Sequence, residues 1–500
     1  MPASLDERLF PVALMMIVTG LVLVIPLILL SNKKLKIRED ILFIVFWFQS
    51  WIYLCIIPLL NCMFPNSAFA FPSHLVDTRA IRFTIEEVDL YAFFQLLILI
   101  FFYFPMLFFY KNNLTRLGGM NPVCSKENCC KISFNRLRNI DNNQPHTSFN
   151  RLFILCLFYS LFGVMYSIVA IKGGWLSGYA VNVDIFLAMS QFDRFIWKIY
   201  NISAAFILVV LLLAYFERQW SSKFKSILFI VVIAPGVIIE VISHLISSRS
   251  AMVLSCITIL IVFYIRGHIT QSKKRLTLII VAAAMIVIYS LAVIPNLRGI
   301  VLSPNVTSDD ILENLNPFST KDDRLQSDIG ARFDGLELMV LATPYLVNQG
   351  FVPFSWYAIT LINPILPLFP EIEKRMKIDE NIADFKQRYL QTYTPAITPD
   401  YIAVSFTELF MVMGPLGFLI VGIFYGVILK WTNRLICKNN YYMIGGIFIM
   451  FQIFIFELPI SLALTGWIRC LPVFLVILIF SPWSKSNVMK VIVNRNSLSN

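Results

Sequence analysis

Charge is scarce in this chain. Asp, Glu, Lys and Arg supply 14% of its 500 residues, against about 25% in ordinary globular proteins, and that shortage excludes a soluble fold. Also missing are the phosphate-cradling G-x-x-x-x-G-K-[ST] loop, the dinucleotide turn G-x-G-x-x-G, the zinc-protease pair H-E-x-x-H and any C-x-x-C. ATP-driven transport, dinucleotide chemistry and zinc proteolysis therefore have no support in the sequence. Nine cysteines are scattered along the chain. Cys124, Cys129 and Cys130, with His146 downstream, match no standard zinc spacing, so no metal site is assigned. Cys62 and Cys470 are expected to stay unpaired, since spacing alone cannot join them.

What the chain has is apolar length. Residues of the AVILMFWYC set make up 58%, with 44 Phe and 17 Met, too many for one core and gathered into blocks of bilayer-crossing length, about 20 residues each. Spans are read at 9–30, 41–60, 89–110, 152–171, 199–216, 226–246, 251–265, 277–294, 411–430, 441–462 and 467–483. Runs such as ILVVLLLAYF at 207–216 are apolar on every face, which excludes the alternation of a membrane barrel. The expected fold is an all-α polytopic membrane protein of about 11 transmembrane helices with a large external loop containing short helices. Pro26, Pro58, Pro105, Pro235 and Pro459 are expected to kink their helices. The N-terminal MPASLDER lacks the basic start and small-residue cleavage site of a signal peptide and is expected to be retained.

The formal net charge of +11 invites a nucleic-acid reading, but its distribution argues otherwise. Loops 31–40, 111–151, 217–225, 266–275 and 431–440, the tail after 483 and Lys430 hold 24 of the 41 Lys and Arg against five acids, a net +19, leaving −8 elsewhere. Basic loops stay cytoplasmic, so the N-terminus is expected outside and the C-terminus inside, with no nucleic-acid partner. The chain then divides into spans one to eight (1–295), a large external segment (296–402) and the last three spans with a cytoplasmic tail (403–500). Pro and Gly punctuate YLVNQGFVPFSWYAITLINPILPLFP in that segment, which reads as interfacial or re-entrant helices.

Ionisable groups in or beside hydrocarbon are costly, so each is a functional candidate. Glu240 and His244 stand four apart on one helical face near the external end of the sixth span. Two readings remain open for them: a structural pair joining helices, or support for a site. Arg249 follows in the tight external turn ISSRSAM, where positive-inside bias disfavours a cation. Arg298 lies beyond the eighth span. Asp328, Arg332 and Asp334 begin an amphipathic stretch of the large segment, with Glu337 after them, Arg375 lies in its basic cluster, and Glu408 leads into the ninth span. Outward-facing guanidinium groups suit a pyrophosphate, because their fork makes bidentate, charge-assisted bonds. Glycan transfer from a lipid pyrophosphate would need such cations plus one carboxylate to take the acceptor proton.

The motifs SSRSAM at 247–252, NLRG at 296–299, ARFDGLELM at 331–339, NPILPLFP ahead of a basic cluster at 363–377, and SFTELFMVMGPLG at 405–417 together resemble the Wzy-type polymerases of O-antigen and capsular repeat units. In that family a basic cluster follows the Pro-rich run directly; here EIE intervenes before Lys374 and Arg375. The resemblance implies a glycosyltransferase of the bacterial inner membrane that uses undecaprenyl-pyrophosphate-linked glycans as donor and acceptor, without a cofactor, and with a chain-length regulator as partner. It implies that Arg249, Arg298 and Arg332, with Arg375, bind pyrophosphate. Asp334 or Glu408 would be the base, with Glu337 behind them and Glu240 and His244 supporting. Two rivals stand: an O-antigen ligase, which differs in acceptor, and a lipid-linked oligosaccharide flippase, which would need no external segment of this size.

Overall fold

The computed structural model describes residues 5–32, 34–35, 37–63, 85–111, 149–172, 190–217, 222–247, 249–265, 336–355, 358, 407–437, 440–453 and 460–481. The described residues are almost entirely helical and contain no strand. Among the described residues, five helices are long and apolar enough to cross a membrane: Leu9–Ser31, Asp40–Met63, Glu86–Lys111, Phe149–Lys172 and Pro415–Ile436. The expected span 277–294 lies outside the described residues.

The chain forms two compact units that interleave along the sequence. In the first, α1 (Leu5–Ser31) packs against α2 (Ile37–Trp51), which continues through a π-helical turn at Ile52–Ile56 into α3 (Ile57–Met63). Helix α4 (Ile85–Ile98) continues in the same way, through a π-helical turn at Leu99–Tyr103, into α5 (Phe104–Lys111). The unit also holds α10 (Glu337–Gln349), α11 (Thr407–Met413) and most of α12 (Pro415–Cys437).

Proline explains several of the side-chain bonds in this unit. Pro has no N–H, so the carbonyl four residues before it loses its helical donor, and in hydrocarbon no water replaces it. Val22 stands four before Pro26, and the indole N–H of Trp47 donates to its carbonyl at 2.9 Å. Leu54 stands four before Pro58, and the Gln95 amide donates to the carbonyls of Leu54 and Cys55 at 3.2 and 3.0 Å. Both π-helical turns end immediately before a helix whose second residue is proline, Pro58 and Pro105, where widening the ring eases the clash between proline and the preceding turn.

Glycine permits the closest approach. Helix α12 runs alongside α4 and α5 with Gly422 against Phe102 and Gly426 against Met106; a Cβ at either would meet those backbone oxygens at 2.6 and 2.5 Å. This G-x-x-x-G spacing lets two membrane helices touch along their backbones. At one end of the unit the Tyr110 hydroxyl donates to Asp40 at 2.6 Å, and the Lys430 ammonium lies over the Tyr110 ring at 4.9 Å.

The second unit contains α6 (Phe149–Lys172), α7 (Gln191–Glu217), α8 (Lys223–Ser247), α9 (Arg249–Ile265) and most of α13 (Asn440–Ile453), with the later part of α14 (Ile460–Ile479). Helices α6 and α8 run parallel: Lys225 sits over the Phe149 ring, and Gly236 abuts Tyr159. Phe206 of α7 packs with Phe448 of α13 and Phe474 of α14. Span boundaries differ from the hydropathy reading where polar turns extend the helices. α7 begins at Gln191, and α14 begins at Ile460 and absorbs a stretch read as a loop.

Candidate functional site

Two buried carboxylates mark the candidate sites, one in each unit. Glu408 belongs to the first and is 1% exposed, beside Thr407 at 2%. The seven-residue α11 that carries them ends at Gly414, whose φ of 61° suits glycine, and Pro415 then opens α12. This is the Gly-then-Pro punctuation that stops one helix and starts another, so the ninth span begins at Pro415 rather than at 411. Gly417 folds α12 against the Leu409 backbone, where a Cβ would meet the carbonyl at 2.4 Å.

Helix α11 is held on several sides. Phe410 meets Phe94 of α4 edge-on at 5.0 Å and stacks on Phe418 of α12 at 5.1 Å. Helix α10, from the 296–402 segment, packs on both α4 and α11. The Val352 N–H donates to the Met411 carbonyl at 3.0 Å, and the Phe351 ring covers Gly414. Leu336, Met339, Val340, Ala342 and Leu346 are buried at helical spacing while Val347 is 78% exposed, so α10 docks by one face. Phe94 lies sixteen residues before Tyr110, about 24 Å along the helix. The α10–α11 assembly therefore stands in the half of the unit remote from the Asp40, Tyr110 and Lys430 end.

In the second unit Glu240 is 3% exposed and accepts a hydrogen bond from the Tyr159 hydroxyl of α6. Its neighbourhood is phenolic. The Tyr200 hydroxyl of α7 lies 3.4 Å from where a Cβ on Gly163 would stand, and the Tyr200 ring stacks on Tyr166 at 4.2 Å and meets Phe162 edge-on at 5.2 Å. The Tyr200 hydroxyl is buried without a hydrogen-bond partner. Gly163 and Gly236 open the notch between α6 and α8: a Cβ on Gly236 would meet the Tyr159 ring at 2.5 Å. The preceding strut is Ser160, whose hydroxyl donates to the Val232 carbonyl at 2.5 Å.

Of the residues singled out from the sequence, Glu240 and Glu408 are buried where described. Glu240 accepts a hydrogen bond from Tyr159 of the neighbouring α6, and whether His244 pairs with it lies outside the described residues. Helix α8 ends at Ser247 and α9 begins at Arg249, with Ser248 between them outside the described residues. Glu337 is the first residue of α10. The side chains of Arg249, His244 and Glu337 lie outside the described residues, as do Arg298, Arg332, Asp334 and Arg375 altogether, and Cys124, Cys129, Cys130, His146 and Pro459. Cys62 and Cys470 are buried, and neither is in a disulfide.

Sequence reasoning missed Tyr159, Tyr200 and Gln95. Gln95 had a signal, being a lone amide in a Phe-rich span, and the pair Gly422 and Gly426 was legible as G-x-x-x-G. Nothing along the chain pairs Tyr159 with Glu240, 81 residues away. Comparison of the chain with protein-family models, with curated proteins and with solved structures finds no match.

Proposed function

We propose that the chain is a membrane glycosyltransferase that polymerises undecaprenyl-pyrophosphate-linked repeat units into O-antigen or capsular polysaccharide at the periplasmic face of the bacterial inner membrane. About eleven crossings, a periplasmic N-terminus, a cytoplasmic C-terminus and an external 296–402 segment belong to the same reading. One observation carries it. Helix α10, the described helix of that segment, docks beside the buried Glu408 in the half of its unit remote from Asp40, Tyr110 and Lys430. Basic stretches 31–40 and 111–151 adjoin Asp40 and Lys111 in sequence at that Tyr110 end, as Lys430 does, and positive-inside bias assigns it to the cytoplasm. The segment and Glu408 then belong to the outer half, where a lipid-linked glycan is met after export.

In the reaction the acceptor hydroxyl oxygen attacks the anomeric carbon of the donor glycan. The bond from that carbon to pyrophosphate breaks, and the hydroxyl proton passes to a carboxylate. Arg249, Arg298, Arg332 and Arg375 would offset the charge gathering on the departing pyrophosphate. Asp334 or Glu408 would take the proton, with Glu337 as third candidate. A general base is worth about 10²- to 10⁴-fold in rate, which is enough to rank the three.

The test is the surface polysaccharide ladder of a deletion strain complemented with variants. Single repeat units capped on the surface of the deletion strain support polymerisation; no repeat at the surface would favour export instead. Arg249→Ala should abolish the ladder at unchanged protein level, and Arg249→Lys should not restore it, since a point charge lacks the bidentate fork. Full-length polymer in the Arg249→Ala strain overturns the phosphate role.

A further inference from the structure

Consecutive residues of α6 grip α8 on opposite sides of a break. Pro235 interrupts the α8 hydrogen-bond ladder, and Gly236 follows it. Before the break, Ser160 donates to the Val232 carbonyl; beyond it, Tyr159 donates to Glu240. The segment beyond Pro235 leads within seven residues of Glu240, about 10 Å of helix, to Ser247 and the turn into Arg249.

From this arrangement we infer that Tyr159 and Glu240 are positioning residues: their bond holds the part of α8 beyond Pro235 against α6 and so places the end of α8 at Ser247 and the start of α9 at Arg249. The inference rests on the polymerase reading only for what that turn does. A carboxylate in a membrane bundle is expensive where an apolar side chain would pack without penalty. Packing alone therefore does not account for Glu240, whereas an acceptor fixed at one height does. The Gly163 and Gly236 notch is what brings the Tyr159 ring against α8.

The experiment reads the turn directly, by the rate at which a cysteine at position 247 (Ser247→Cys) reacts with a membrane-impermeant maleimide in the full-length protein in membranes. The parent chain lacking that cysteine supplies the background. Tyr159→Phe and Glu240→Leu should each change the rate about tenfold, the worth of a buried hydrogen bond, and weaken the polysaccharide ladder. Glu240→Gln, which keeps an acceptor at the same place, should behave like the parent. Pro235→Ala restores a continuous ladder, so Tyr159→Phe should change the rate less in that background than in the parent, a non-additivity that general destabilisation would not give. Parental labelling in Tyr159→Phe, an equal effect of Tyr159→Phe in both backgrounds, or a Glu240→Gln variant as altered as Glu240→Leu, overturns the inference. If labelling shifts as expected while the ladder never depends on this gene, the clamp stands and the polymerase reading falls.

Discussion

In the first unit the carbonyls stranded by Pro26 and Pro58 are met by N–H donors, the Trp47 indole and the Gln95 amide, reaching across from other helices. In the second, Pro235 is flanked by hydroxyl donors, Ser160 and Tyr159, and one of their acceptors is a carboxylate rather than the backbone. The contrast separates two uses of a broken helix. Where the donor meets the stranded carbonyl itself, the break is sealed. Where the donors grip either side of it, the break itself is left unsealed and each half of the helix is tied to its neighbour separately.

The close approaches should break first. Gly422→Leu forces a side chain into the Phe102 backbone at 2.6 Å, where neither partner can give, and should abolish recoverable folded protein by size-exclusion chromatography in detergent. Gly236→Ala meets the Tyr159 ring instead and should cost about 1–3 kcal/mol, read as a lowered Tm. Next comes Gln95→Leu, which leaves the Leu54 and Cys55 carbonyls buried without that donor; a loss of about 1–3 kcal/mol is expected. Trp47→Phe should cost about 1 kcal/mol, and less in a Pro26→Ala background, where residue 26 supplies its own N–H to Val22. Equal costs in both backgrounds would remove the sealing argument. Smallest are Gly20→Ala and Gly445→Ala, which meet nothing within 4 Å and should leave Tm unchanged or raised by helix propensity.

The long apolar helices were legible because hydropathy is a property of each helix alone. Leu9–Ser31 and Phe149–Lys172 fall within a few residues of their expected bounds. Their ends were less so, because polar turns such as QFDRFIWK extend a helix beyond its apolar window. Glu408 and Glu240 were legible as costly charges in the wrong solvent. What holds them was not: apolar residues cover every face of these helices, so no periodicity says which side meets a neighbour. Phe94 against Phe410 or Tyr159 against Glu240 is decided by packing between segments far apart in the chain. The short α11 was concealed for a related reason, since TELFMVM and the helix after it form one apolar run that only Gly414 and Pro415 divide.

The Trp47 bond to Val22 bears on how the chain is made. A lone α1 released sideways from the translocon would carry an oxygen at residue 22 with no donor in oil, and the helix that satisfies it is the next one synthesised. Retaining α1 until α2 arrives, and releasing the two as a hairpin, removes that penalty, so biogenesis and the resting architecture draw on the same indole.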